Sequence, residues 1–266
     1  MDRYPKRIVC LTEETTETLY LLGAQARIVG ISGFTQRPVL ARREKPLVSA
    51  FTSADLPKIQ SLKPDLVLAF SDLQADIVRE LIRSGLSVMT FNQRSVDEIL
   101  AMIAQLGALV GEAAAAERLI EQLQRNLDAA ATRARSFQRR PRVYFEEWPD
   151  PLIAGIRWVS ELIEIAGGTD VFAELREQSM ARGRIVEAAA VAARDPELII
   201  ASWCGKMVKP ERIRARAELA HTSALRGDHI VEIKSTLILQ PGPAALSDGL
   251  SALSDVIALR ATFGPD

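Results

Sequence analysis

Two rhythms of apolar and polar residues take turns along the chain. Short unbroken apolar runs at 7–11 (RIVCL), 27–31 (RIVGI), 65–70 (DLVLAF) and 87–91 read as strands. DLVLAF is apolar on both faces, as a buried strand of a parallel sheet is. Between the runs lie amphipathic stretches with helix start and stop signals. Thr12, Glu13 and Glu14 suit the positive end of a helix over 15–22 that Gly23 ends. A second helix over 76–83 is closed by Gly85, and Ser95 caps a third that runs to Val110 with Asp97 and Glu98 in its first turn. The segment holding Phe34, Pro38, Pro46 and Phe51 is too rich in breakers for a regular element, and a helical turn follows it at 55–61. The first half is expected to run β-α-β-loop-α-β-α-β-α, a mostly parallel sheet with helices on both faces.

Residues 112–137 then keep a single rhythm without Gly or Pro. Ala116, Leu119, Ile120, Leu123, Leu127, Ala130, Ala131 and Ala134 form one stripe, with Glu117, Glu121, Arg125 and Arg133 on the other side. At 1.5 Å per residue the helix would be about 40 Å long, too long for a crossover inside one half. It reads as a rigid beam between a lobe at 1–111 and a lobe at 138–266. Beyond it the strand-helix grammar restarts, with strands at 142–145, 197–203 and 230–233 and helices at 158–166, 187–194, 211–220 and 245–259. The expected fold class is α/β: two Rossmann-like lobes with mostly parallel sheets joined by one long connecting α-helix.

A repeat supports the two lobes. Leu62-Lys63-Pro64-Asp65-Leu66-Val67 in the first half is matched by Arg194-Asp195-Pro196-Glu197-Leu198-Ile199 in the second, and each copy leads to a helix, a Gly and another apolar strand. Duplication accounts for this placement better than chance.

Composition narrows the function classes. A net charge of −1 over 266 residues gives no concentrated positive field for nucleic acid or a membrane surface, and no run approaches the ~18 apolar residues of a membrane span. Neither nucleic-acid binding nor membrane insertion is expected. Cys10 and Cys204 make no metal or redox spacing and are expected as buried free thiols. The start, MDRYPKRIVCLTEET, shows no apolar leader, so the chain as written is expected to be cytoplasmic, or periplasmic if its true start lies upstream.

Motifs for chemistry are lacking: there is no G-x-G-x-x-G after a strand, no G-x-S-x-G and no H-E-x-x-H. His221 and His229 fit surface or capping roles. Glu146, Glu147 and Asp150 cluster at a strand end and are what an enzyme would use, yet no paired nucleophile accompanies them, so binding without catalysis is expected. Ligands of open α/β sheets lie beyond the carboxyl ends of the strands. Aromatics are only 5% of the chain, yet Phe34, Phe51, Phe70, Phe91, Trp148 and Trp203 all map there, as a slot for a large planar or bulky ligand requires. Each ring alone fits the closing of its own lobe's core equally well. Arg157, Arg182 and Arg184 stand in the second half as cations for acidic groups.

RIVCLTEETTETLYLLGAQARIVGIS, a Pro-containing loop, DLPKIQSLKPDLVLAF, the SVDEI helix, the long helix, PRVYFEEW, ELIEIAGGTDVF and ARDPELIIAS follow one another in a telling order. Over nearly its whole length the chain resembles the helical-backbone substrate-binding proteins of ABC importers for vitamin B12 and ferric siderophores. The resemblance implies two α/β lobes on one rigid helix, little hinge closure, and a metal chelate bound in the cleft between them. Cobalamin or a related corrinoid comes first, a ferric siderophore or haem second, with no covalent cofactor and no metal ligated by the protein itself. It also implies that Phe34, Phe51 and Phe70 stand where B12-binding members set aromatics against the corrin. Ile153 falls where another aromatic is expected, the loop with Arg182 and Arg184 replaces a tryptophan-bearing one, and Thr236 lies near a position touching the ligand's lower side. With Trp148 and Trp203 these make the expected ligand set. Family members present one acid per lobe to a permease; Pro57 and Ala189 occupy those positions here, and Asp55 and Glu187, two residues away, are the nearest acids.

Overall fold

The computed structural model describes residues 3–263. The chain divides into two compact units, one of residues up to Gln93 with 97–122, the other of 94–96 with the residues from Leu123 on.

The first unit is built from β1 (Ile8–Cys10), α1 (Glu13–Leu21), β2 (Ile28–Ser32), α2 (Ala41–Glu44), β3 (Leu47–Ala50), β4 (Ser53–Ala54), α3 (Leu56–Ser61), β5 (Leu66–Phe70), α4 (Ala75–Arg83), β6 (Val88–Phe91) and most of α5 (Val96–Val110). Its six strands lie in the order β4-β3-β2-β1-β5-β6, all parallel except β4, which turns back on β3. β1 and β5 are buried at every position, which is why their sequences carry no polar break. Val9, Leu11, Val48, Ile59, Val67, Ala69 and Leu81 form one core cluster. The breaker-rich segment departs from expectation. Instead of an irregular loop it holds β3 and β4, a tight hairpin whose register, Ala50 opposite Ser53, puts Phe51 and Thr52 in the turn.

α6 (Ala113–Arg135) is continuous, and the boundary between the units falls inside it, between Gln122 and Leu123, so it is shared and is not a separate body. Its early turns pack on α5: a Cβ on Gly107 would come within 2.3 Å of the Cβ of Ala116, so only glycine permits that approach. Leu123 and Leu127 are buried, worth about 2 kcal/mol each by area. Asn126 and Arg133, later in the helix, bond Leu246 and Asp255 of the C-terminal segment.

The second unit follows with β7 (Arg142–Pro149), β8 (Leu152–Ala154), α7 (Arg157–Ile165), β9 (Thr169–Asp170), α8 (Ala188–Ala193), β10 (Leu198–Ala201), α9 (Pro210–Arg214), α10 (Ser223–Arg226), β11 (Ile230–Glu232), α11 (Ser235–Ile238) and α12 (Leu250–Phe263). Strand order is β11-β10-β7-β8, with β9 parallel beside the start of β7 and β8 antiparallel beside its end. Two mostly parallel sheets in an α/β chain is the expected class. Local differences remain: the helix expected over 211–220 breaks after Arg214 into α9 and a 3-10 turn, and that over 245–259 opens with a π turn before α12. Cys10 is buried but Cys204 is exposed, against the expectation for both, because the chain turns outward at Gly205 immediately after the β10 end.

Candidate functional site

In the first unit the strand order reverses direction at β1, so the crevice of an open sheet opens beside the carboxyl ends of β1 and β5. Gln74, fully buried one turn after β5, organises that end. Its carbonyl oxygen accepts from Phe70 N at 3.0 Å and its amide donates to Phe51 O at 2.8 Å, so one side chain ties the end of β5 to the hairpin tip. Phe34 follows β2 with its backbone N–H on Ser32 Oγ, and its ring is 44% exposed. Phe51 is half-buried and Phe70 is buried, so the three expected phenylalanines offer ring surface in that descending order. Phe91 is buried as well and closes the core.

Glu14, at the start of α1, is buried beside this end. Burial pushes its carboxyl up to about 8, while Thr12 Oγ1 donates to it at 2.6 Å and pulls the other way. It therefore carries a proton at neutral pH and is not the anion that the sequence suggested. A groove of about 540 Å³ also lies here, lined by Ser71, Asp72, Thr90 and Asn92 from the ends of β5 and β6 and by Val78 and Ile82 of α4.

In the second unit β7 ends in a bulge: Glu146 pairs with Ala154 and Trp148 with Ile153, leaving Glu147 as the extra residue. Trp148 and Ile153, both half-buried, are thus brought side by side. Trp148 Nε1 donates to Asp150 O at 2.9 Å, and the Lys206 ammonium stands 4.0 Å from its ring centre. Gly205 N reaches Ser235 Oγ at 3.4 Å, which links the turn carrying Lys206 to α11, where Thr236 is half-buried. Arg182 is exposed in the loop before Arg184.

Two expected ligand residues serve the fold instead. Arg184 is 1% exposed; its guanidinium grips Glu147 at 2.5 and 3.1 Å and the carbonyl of Ala154, so it braces the bulge and has no charge left for a ligand. Trp203 is 2% exposed and donates from Nε1 to Glu146 at 3.0 Å, because β10 runs into the core beside β7. The same bonds answer the enzymatic alternative. Glu146 is wholly buried between Trp203 and Arg216, Glu147 belongs to Arg184, and Asp150 stays in the exposed turn. His221 is exposed and His229 meets Arg260 at 2.7 Å.

Gln74 and Lys206 are the residues that sequence reasoning missed. Gln74 is one polar residue in a polar turn, and Lys206 follows Cys204-Gly205 with no local pattern that singles it out.

Two mostly parallel sheets with rings at their strand ends are the frame of a solute-binding protein. The chain belongs to the periplasmic binding protein family, whose pattern it matches over residues 8–237. The family and the similar proteins are binding and transport proteins, not enzymes. A cobalamin-binding protein of Halobacterium salinarum is 25% identical over 254 residues, covering 91% of this chain and 67% of the relative. An uncharacterised ABC transporter substrate-binding lipoprotein of Bacillus subtilis, YvrC, is 23% identical over 266 residues, 97% of this chain and 81% of the relative. Among solved structures, the periplasmic vitamin B12 binding protein BtuF of Vibrio cholerae superposes with a TM-score of 0.78 at 21% identity, covering 98% of this chain and 99% of that one. Among the described residues no helix is long and apolar enough to cross a membrane, and no group of three or more His, Cys, Asp or Glu is placed to hold a metal.

Proposed function

We propose that this protein captures a metal chelate for an ABC importer, with cobalamin or a related corrinoid as the first ligand and haem or a ferric siderophore as the second. The observation that carries the reading is the end of the first unit's sheet. There Phe34 and Phe51 present ring surface from successive strand ends, with Gln74 fixing the backbone beneath them. Flat rings on a braced floor suit a broad, rigid, partly apolar ligand. The cobalamin-binding relative supports the choice of chelate. In the second unit Trp148, Ile153 and Thr236 are the contact residues, with the exposed Arg182 as a further one.

For the permease, Asp55 and Glu187 are the docking acids. Each is exposed at the N-cap of a short helix, α3 or α8, and each stands ten residues ahead of the acid in its copy of the repeat, Asp65 or Glu197. Equivalent acids on duplicated halves suit a partner that itself presents two similar basic pockets. The working place that fits is the periplasm, the compartment in the family's description.

Titration with cyanocobalamin, haemin and a ferric siderophore, followed by tryptophan fluorescence, tests the reading. Saturable quenching by cobalamin is expected, and Phe51→Ala is expected to weaken it about tenfold with the melting temperature unchanged. Quenching by none of the chelates, or full affinity in both Phe51→Ala and Trp148→Ala, would overturn it.

A further inference from the structure

Five arginines of the second unit are committed to carboxylates: Arg139 and Arg142 to Glu197, Arg176 to Glu164, Arg184 to Glu147 and Arg216 to Glu146. Lys206 is different. Among the described residues its ammonium has neither an ion pair nor a hydrogen bond, and it rests over the Trp148 ring at 4.0 Å. Nor is its position accidental to a floppy turn. Lys206 N closes the turn on Trp203 O at 3.1 Å, Gly205 takes the left-handed φ of +67° that the turn needs, and Gly205 N bonds Ser235 Oγ. The ring is pinned from its other side by the bond to Asp150 O.

Magnitudes decide what this arrangement favours. A cation over an exposed ring gains about 0.5–1 kcal/mol, whereas a hydrogen bond from a cation to an anionic oxygen gains about 1.5–3 kcal/mol. A flat ligand that takes the Trp148 face must push the ammonium aside. A wholly neutral ligand returns nothing for that displacement. One with a carboxylate or phosphate on its edge recaptures the ammonium in a stronger bond.

Resting on the chelate-binding reading above, we infer that Lys206 is a specificity residue that selects chelates bearing an anionic oxygen group on their periphery. The group is a phosphodiester in cobalamin and a carboxylate in haem; the recognised chemistry is the same. Binding of cyanocobalamin, haemin and dicyanocobinamide, which keeps the corrin ring but lacks the phosphate, is measured for wild type, Lys206→Met and Lys206→Arg. Lys206→Met keeps the apolar stem over the ring and removes the charge. It is expected to lose about tenfold for whichever of cyanocobalamin and haemin the wild type binds, and nothing for dicyanocobinamide. Lys206→Arg is expected to restore the anionic ligand. The chelate that responds identifies the source of the anion. Unchanged affinity of Lys206→Met for an anionic chelate that the wild type binds overturns the inference, and so does an equal loss for dicyanocobinamide. A wild type that binds none of the three overturns the inference, and one that binds no ferric siderophore either defeats the chelate reading itself.

Discussion

The two halves of this chain solve one junction twice. In the first unit Lys63 takes a left-handed φ of +47° before Pro64, and in the second Asp195 takes +42° before Pro196. Asp65 N bonds Arg7 O at 2.9 Å, and Glu197 N bonds Arg142 O at 2.9 Å. The acid's side chain then accepts from the N–H at the start of the neighbouring strand, Asp65 from Arg7 N at 2.9 Å and Glu197 from Arg142 N at 2.9 Å. Both arginines reach back to the carbonyls before the proline, Arg7 to Leu62 and Lys63, Arg142 to Asp195. The difference lies in burial. Asp65 is exposed, whereas Glu197, one methylene longer, is sunk beneath Arg139, which also bonds Arg260 O on α12. A backbone device recurs in both halves because its geometry is local, while the electrostatics around it differ with whatever packs on top.

That comparison can be broken at its strongest point. Glu197→Ala leaves Arg139 beside an empty buried site and is expected to cost about 3 kcal/mol, against about 1 kcal/mol for Asp65→Ala, whose lost bonds water replaces. Urea unfolding of both variants checks it, and equal losses would mean that burial adds nothing to the junction.

A second contrast concerns carboxylates at the ends of β1 and β7. Glu146 has Arg216 and Trp203; Glu14 has Thr12 and burial, and its carboxyl is pushed up to about 8 from an ordinary 4.5. The folded chain thus holds a proton at Glu14 that the unfolded chain releases above about 4.5. Stability from this group is complete below that pH and is lost as pH rises toward 8. Glu14→Gln, neutral at every pH, is expected to remove the loss, so that its stability relative to wild type grows by on the order of 3 kcal/mol between pH 5 and 8. Parallel pH profiles for the two proteins would show that Glu14 is ionised in the fold.

The smallest effect carries the sharpest sign. Lys63→Gly relieves a left-handed residue and is expected to raise stability by about 0.5 kcal/mol. Asp195→Gly relieves the same strain but deletes the carboxylate that holds Ser223 N at 2.7 Å, Ser223 Oγ at 3.0 Å and Arg142 at 2.8 Å, and is expected to lower stability by about 1 kcal/mol. Thermal melts of the pair decide it; a shared sign would mean that backbone strain alone rules both junctions.

Much of the fold was legible because its signals are local. DLVLAF, ELIIASW and the Ala-Leu stripe of 116–134 each declare their burial within a few residues, and the Pro-acid repeat announced equivalent junctions. The β3–β4 hairpin was not legible, since Pro46 and the residues around Phe51 look like breakers until β2 supplies an edge to pair with. The candidate site divides the same way. Phe34, Phe51 and Trp148 were placed at strand ends by pattern alone, and Ile153 came only from the family resemblance. Trp203 was placed there too and Arg184 was read as a loop cation, but whether such side chains face solvent depends on partners far along the chain.

The sequence by itself determined the α/β class, the repeated Pro-acid junction and the strand ends where rings collect, because period and punctuation act within a few residues of each other. Only the tertiary structure decided which polar groups remain available. It turned Arg184 and Glu146 into buried struts, protonated Glu14, buried Gln74 as a brace and left Lys206 poised over Trp148. Charge and exposure at each of these positions are set by contacts between residues distant in the chain, and no local pattern carries that information.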